Sequence, residues 1–393
     1  MDSLLRQPPE HAKVIPLGEF ALVDRRPNMT QANRNHTLCV RQVRTRAVQA
    51  PLEYTLTTST GVIATVPLVL IDIETDAGVT GRSYVFTYTP LALKAVQCLV
   101  DDLGATLVGQ PVAPVDLDAG FESRLRLLGR GGLVIMACSG LDMALWDALA
   151  IHQGVPLATL LGGTPRPIPA YDSHGLDGLD LGPLRARKAV DAGFRAIKTK
   201  MGYPTLAQDL EVLRALRNAV GSDVHIMVDY NQGLTVPEAE RRIRALSQEG
   251  VTWVEEPTVQ ENLEGHARLR GLGAPIQMGE NWCGPGDMQR ALHAGACDFA
   301  MPDVMKIGGV TGWMRGAALA QGAGVPMSSH IFPEISAHLL AVTPTAHWLE
   351  RMDLAGPVLA QPLRCVDGCA VSADVPGSGV SWNEDAVRAY RVN

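Results

Sequence analysis

The chain has 393 residues, 46% hydrophobic and 19% charged, with a formal net charge of −7. That length suits one large α/β barrel domain or two ordinary domains, and the composition excludes a disordered chain. No basic stripe suggests nucleic acid, and apolar runs such as "VPLVLI" at 66–71 are too short to span a bilayer, so neither partner is expected.

Residues 1–36 are rich in Pro, Asn and Arg without sustained periodicity and read as an appended arm; they carry neither the basic nor the apolar region of a secretory leader. The seven cysteines (39, 98, 138, 283, 297, 365 and 369) are odd in number and form no CxxC pair. Reduced thiols in a cytoplasmic protein are therefore expected. From "CVRQVRTRAVQAP" the chain alternates apolar and polar residues, and "VPLVLIDIETDAGVTGRSYVF" reads as a hairpin turning at Asp76–Gly78. Helical periodicity follows in "LALKAVQCLVDDLGATLVG" and "GGLVIMACSGLDMALWDALAIHQGV", which makes an α+β unit.

The texture then changes. Short β-type runs alternate with helix-like stretches: "IPAYDSH", "RAIKTK", "HIMVDYN", "TWVEEP", "PIQMGEN", "DFAMPDVMK", "VPMSSH" and "AHWLER". Eight such units predict a parallel (β/α) barrel. The final "CVDGCAVSADVPGSGVSWNEDAVRAYRV" returns to β-type residues and is expected to pack back on the N-terminal unit.

Nearly every barrel strand ends in an ionisable residue: Lys200, Asp229, Glu255, Glu280, Asp303, His330 and Glu350. The C-terminal strand ends of such a barrel share one mouth, so these distant groups are expected to converge there. Asp229, Glu255 and Glu280 would repel one another unless a cation joined them, and an all-oxygen set favours Mg²⁺ first and Mn²⁺ second. Glu255 and Glu256 point to opposite faces of their strand, so only one of them should be a ligand, and "VEEP" alone leaves the choice open.

Lysine is rare here, six residues against 28 arginines, yet Lys198 and Lys200 share one strand face. Arginine stays charged, whereas a lysine whose pKa is depressed by a second ammonium and by burial can act as a base. His330, with Asp303 one strand away to hold its tautomer, is a second candidate base, and His174 on the first strand is kept in view. Two bases around a divalent cation suit removal of the proton α to a carboxylate. A carboxylic acid kept protonated, with Glu350 placed for the role, would support the second enediolate oxygen.

These residues lie in "YDSHGLDG", "KTKMGYP", "VDYNQ", "WVEEPT", "MGENW", "MPDVMKIGGVTGW", "SSHIFPEISAHLL" and "TPTAHWLERMDLAG", which resemble the enolase superfamily and, within it, the mandelate racemase subgroup, from about residue 39 onward. The resemblance implies an enolase-type barrel at 161–355 under an α+β capping domain, formed by 37–160 with the tail 356–393. It implies Lys200 as base for the S enantiomer, with Lys198 tuning it and touching the substrate carboxylate. It further implies His330 with Asp303 as base for the R enantiomer and Asp229, Glu255 and Glu280 as Mg²⁺ ligands. Glu350 would be the general acid, with Ser173 and Asn231 near the substrate's polar groups. A flap at 56–68 should close over the substrate's distal group, with Leu56, Val62 and Ile63 apolar and Thr57, Thr58, Ser59 and Thr60 hydroxylic. Phe86, Tyr88, Leu127, Ile331 and Met352 would complete an apolar wall. The implied activity is racemisation of mandelate or a similar aryl 2-hydroxy acid; sugar-acid dehydration by the same enolisation is the competing activity, and a non-catalytic barrel a third. A symmetric homo-oligomer, an octamer by the same likeness, is expected.

Overall fold

A computed structural model describes residues 37–59 and 61–392. The expected arm at 1–36 and Thr60 of the flap lie outside the described residues. From Leu38 onward the chain forms one compact unit.

The first layer is an antiparallel sheet of β1 (Val40–Thr57), β2 (Val62–Thr75) and β3 (Thr80–Phe86), with the expected turn between β2 and β3. The run Val66–Ile71 of β2 is buried on both faces, which is why it reads as continuously apolar. Four helices follow: α1 (Pro90–Ala105), α2 (Pro114–Arg124), α3 (Leu133–His152) and the one-turn α4 (Leu157–Leu160). By length and composition α3 could cross a membrane, contrary to the impression left by the short runs in the sequence. Its most apolar window is 78% buried inside the protein, however, because α3 is the core helix packed under the sheet.

The barrel strands are β4 (Ile168–Ser173), β5 (Ala196–Lys200), β6 (His225–Asp229), β7 (Val254–Glu255), β8 (Ile276–Met278), β9 (Phe299–Ala300), β10 (Met327–Ser329) and β11 (Ala346–Arg351). They pair in parallel in chain order, and β11 closes onto β4. All eight coincide with the runs predicted from sequence. Between them lie α5 (Gly178–Asp191), α6 (Leu206–Val220), α7 (Val236–Gln248), α8 (Leu263–Leu269), α9 (Pro285–His293), α10 (Gly309–Ala323) and α11 (Pro333–Ala341). Thr205 and Gln208 form a reciprocal capping box that starts α6. Inside the barrel Tyr171, Ala196, Met227 and Trp253 fill a layer beneath the mouth, so the barrel has a packed floor.

The C-terminal segment joins both layers. β12 (Arg364–Val366) and β13 (Cys369–Val371) form a hairpin that extends β4 antiparallel, and α12 (Glu384–Tyr390) lies on β1. Ser378 binds Asp147 of α3, and Trp382 Nε1 donates to Asp72 of β2 at 2.8 Å.

Candidate active site

The parallel register sets the site. Lys198 and Lys200 alternate to one face of β5, Asp229 and Glu255 end β6 and β7, and Glu280 follows β8. Asp303 and His330 bridge each other just beyond β9 and β10, and Glu350 lies in β11. One carboxylate oxygen from each of Asp229, Glu255 and Glu280 falls within a 4.8 Å cluster, and all three residues are buried. Three hard oxygen donors that close, withdrawn from water, fit a divalent cation such as Mg²⁺.

The side chains face one another as opposite charges. Lys198 Nζ stands 2.5 Å from Glu255 Oε1, 2.7 Å from Glu350 Oε1 and 3.6 Å from Asp229 Oδ2, and Lys200 Nζ is paired with Asp229. His330 Nδ1 lies 2.7 Å from Asp303 Oδ2, and its Nε2 lies 3.0 Å from Glu280 Oε2.

This corrects two expectations. Burial is the largest single influence and pulls both lysines down. Glu255 and Glu350 with Tyr171 and Asp229 together outweigh it at Lys198, and Asp229 with Glu280 and Glu255 together outweigh it at Lys200, so both are raised rather than depressed. The second ammonium lowers Lys200, as expected, but loses to the carboxylates that its own charge attracts. Glu350 is not a neutral acid here: burial raises it, but Lys198, His330 and Lys200 together bring it to about 2. Burial likewise opposes the charge on His330, yet Glu280 and Asp303 lift the imidazole to about 10.

Around this charged ring stand polar atoms with nothing to bind. Ser173 Oγ, Asn231 Oδ1 and Tyr88 Oη are buried and lack a hydrogen-bond partner among the described residues. Buried polar atoms are normally paired, so such orphans mark where a ligand's polar groups fit. Asn231 is fixed by its N–H, which donates to Asp229 Oδ1 at 2.7 Å. On the apolar side, Leu56 and Ile63 are cross-strand partners at the tip of the β1–β2 hairpin. A cavity of about 110 Å³ touches Leu56, Ser173 and Met352. The Phe86 and Tyr88 rings lie tilted against each other with centroids 4.6 Å apart, and buried Ile331 donates its N–H to Glu350 Oε2 at 3.0 Å.

Three expected residues lie elsewhere. Leu127 is fully exposed, because the glycine-rich loop between α2 and α3 carries it into solvent; it forms no part of the wall within this chain. Val62 is 64% exposed, since strand alternation turns it away from the face that holds Ile63. His174 is turned to Asp172, with Nε2 at 2.9 Å, and Arg351 holds the other oxygen of Asp172. Among the described residues no ion pair joins His174 to the carboxylate cluster.

Sequence reasoning also missed a supporting network. Asn281 Nδ2 donates to Glu256 Oε2 at 2.8 Å and Glu280 Oε1 at 3.2 Å, while Lys306 Nζ donates to Asn281 Oδ1 at 2.7 Å. The same ammonium lies 4.4 Å from the centre of the Tyr88 ring. The rarity of lysine pointed to Lys198 and Lys200 and would have pointed to Lys306 as well. Backbone strain marks the same place: of seven described non-glycine residues with positive φ, six (Tyr88, Asn231, Gln232, Glu256, Ile331 and Phe332) stand beside the residues of this site.

Comparison with known proteins agrees with this fold. Residues 40–162 match the family "Mandelate racemase / muconate lactonizing enzyme, N-terminal domain", and residues 184–386 match "Enolase C-terminal domain-like". An enolase from Bradyrhizobium, crystallised with magnesium and mandelic acid, is 51% identical, with a TM-score of 0.88 over 91% of this chain and 99% of that one. A 3,6-anhydro-alpha-L-galactonate cycloisomerase from Streptomyces coelicolor is 36% identical over 87% of this chain and 96% of its own length. An L-talarate/galactarate dehydratase from Salmonella typhimurium is 30% identical over 82% of each.

Proposed function

The chain belongs to the mandelate racemase and muconate lactonizing enzyme family of the enolase superfamily and is a magnesium-dependent enzyme, and from that premise we propose that it racemises an aryl 2-hydroxy carboxylate such as mandelate. The observation that carries this reading is the pair of bases: Lys200 on β5 and His330 beyond β10, with the carboxylates of β6, β7 and β8 on the strands between them.

For an S substrate, Lys200 removes the α-proton, and the C–H electron pair moves into the enediolate. His330, held by Asp303, then returns a proton on the opposite face and gives the R product; the reverse reaction exchanges the roles. Asp229, Glu255 and Glu280 would hold a Mg²⁺, which would supply Lewis acidity toward the substrate carboxylate and would offset the carboxylate charges that hold both bases high. Lys198 binds the incoming carboxylate and so leaves Glu350. Without that ammonium Glu350 rises from about 2, and it can then donate a hydrogen bond to the enediolate. Ser173 and Asn231 receive the substrate's carboxylate and α-hydroxyl on their unpartnered atoms, and Leu56, Ile63, Phe86 and Ile331 enclose the aryl group. The Bradyrhizobium protein, described with mandelic acid bound, supports this substrate class.

A second reading, dehydration or cycloisomerisation of a sugar acid, is favoured by the names of the relatives at 36% and 30% identity. It needs groups that grip several hydroxyls. The hydroxyls of Thr58 and Ser59 are already bonded to the backbone oxygens of Gly61 and Tyr230, which favours the aryl acid.

The test is incubation with Mg²⁺ and (R)-mandelate in D₂O, following optical rotation and the α-proton NMR signal together. Racemisation with deuterium incorporation is expected. Inertness toward mandelate, together with a 2-keto product from a sugar acid, would transfer the assignment to the second reading.

A further inference from the structure

The tip of the β1–β2 hairpin is joined to its sheet by an uneven hinge. Pro51 pairs with Thr65 and Leu56 with Ile63, so four residues of β1 bulge against one of β2. The bulge is itself anchored: the Tyr54 ring lies 4.5 Å from the Arg185 guanidinium, and Glu53 pairs with Lys188 at 2.6 Å, both cations belonging to α5. Beyond the hinge the tip rests on the loops after β4, β5 and β6. Thr57 C=O accepts the N–H of Leu176 at 2.8 Å. Ser59 Oγ donates to the carbonyl oxygen of Tyr230 at 2.7 Å.

The loops beneath have no side chains where Ser59 lands. A β-carbon on Gly202, whose φ is +113°, would stand 2.9 Å from Ser59 Cβ. One on Gly233 would stand 2.9 Å from Ser59 Oγ and 3.1 Å from Tyr230 O. Tyr230 lies between Asp229, which belongs to the carboxylate cluster, and Asn231, whose amide oxygen is one of the unpartnered atoms. The hydroxyl that latches the tip thus bonds to the very strand end that presents the site.

We propose that Ser59 is a positioning residue: its hydroxyl locks the hairpin tip onto the backbone of Tyr230, seated between Gly202 and Gly233, and so holds Leu56 and Ile63 over the substrate. The hydroxylic half of the tip serves docking, and the apolar half serves specificity. This rests on the reading of the tip as the lid of the site, but the latch itself is testable without any substrate.

The experiment is amide hydrogen exchange on the full-length protein with Mg²⁺ alone, comparing wild type, Ser59→Ala, Gly233→Ala and the double variant. Ser59→Ala should speed exchange at the Leu176 amide about fivefold, the factor expected from one ordinary hydrogen bond, while the thermal midpoint and exchange in α10 stay unchanged. Gly233→Ala should do the same by displacing Ser59. The double variant should exchange no faster than the faster single variant, because both changes act on one latch. Unchanged exchange in Ser59→Ala, or effects that add, would overturn the proposal. With an acid that the enzyme turns over, Ser59→Ala should raise KM about fivefold and alter kcat less than twofold. A fall in kcat with KM unchanged would likewise overturn it. Failure of every 2-hydroxy acid to react would count against the proposed function and leave the exchange result to decide the latch.

Discussion

Among the buried carboxylates of the described residues, those of α3 and those of the barrel mouth are neutralised in different ways. In α3, Asp147 accepts the N–H groups of Arg82 and Ser378 at 2.7 and 2.6 Å and the Ser378 hydroxyl at 2.7 Å; Asp142 accepts the N–H and hydroxyl of Thr311. Their partners are fixed, neutral donors on neighbouring elements. At the mouth, Asp229, Glu255 and Glu280 lean on Lys198, Lys200 and His330, cations on side chains that the proposed chemistry would release. Saturation by immobile dipoles builds structure, whereas compensation by exchangeable charge leaves a place for a metal and an acid–base reaction.

The largest expected effect separates the two proposed bases. Lys200→Arg keeps the positive charge beside Asp229 but cannot give up its proton, so turnover should fall by roughly 10³-fold or more, with folding retained. His330→Asn should abolish racemisation yet leave Lys200 able to exchange the α-proton of the S enantiomer, as seen by NMR in D₂O. Exchange of both enantiomers in that variant would remove His330 from the mechanism.

Next is the saturated set. Asp147→Ala strands three donors where the tail meets α3, which should cost about 3 kcal/mol in urea unfolding while changing kcat less than twofold. Comparable losses of activity and stability would erase the distinction between the two regions. Magnesium then probes the other set: at roughly 100 times its Kd it should stabilise the protein by about 2.7 kcal/mol. Glu255→Gln should abolish that gain, and Asp147→Asn should leave it intact.

How far the sequence disclosed all this depended on the kind of information each feature needs. The strand ends were legible because a polar residue closing each short apolar run recurs at barrel spacing, even where β7 and β9 are only two residues long. The residues of the mouth followed from that periodicity. Helix α2 was not legible, since Pro114–Arg124 carries only scattered apolar residues and no strong stripe. The charge states were misread for a different reason. Lys198 looks like a depressed amine until Glu255 and Glu350 are seen at 2.5 and 2.7 Å, and no one-dimensional pattern contains those distances. Leu127 and Val62 failed because a loop path and a strand face decide which way an apolar side chain points. Asp142 and Asp147 carry no signal in the sequence, because the burial of their helix depends on the sheet on one side and α10 on the other.

Asp142 offers the finest test of the comparison. Burial raises its pKa to about 7 from an ordinary 3.8, and the Thr311 hydroxyl and N–H recover only part of that. The folded state therefore holds this proton more tightly than the unfolded chain. Its contribution to stability is full below about pH 4 and is lost as pH rises through about 7. Asp142→Asn cannot titrate, so the stability of wild type relative to the variant should fall by about 2 kcal/mol between pH 5 and 7, at roughly 1.4 kcal/mol per unit, and level off above. Urea midpoints of both proteins across that range measure the slope directly. A relative stability that rises with pH would mean that Thr311 stabilises the ionised form outright. Asp142 would then resemble the mouth, with its charge held by strong partners, and would no longer be an acid whose proton burial retains up to about pH 7.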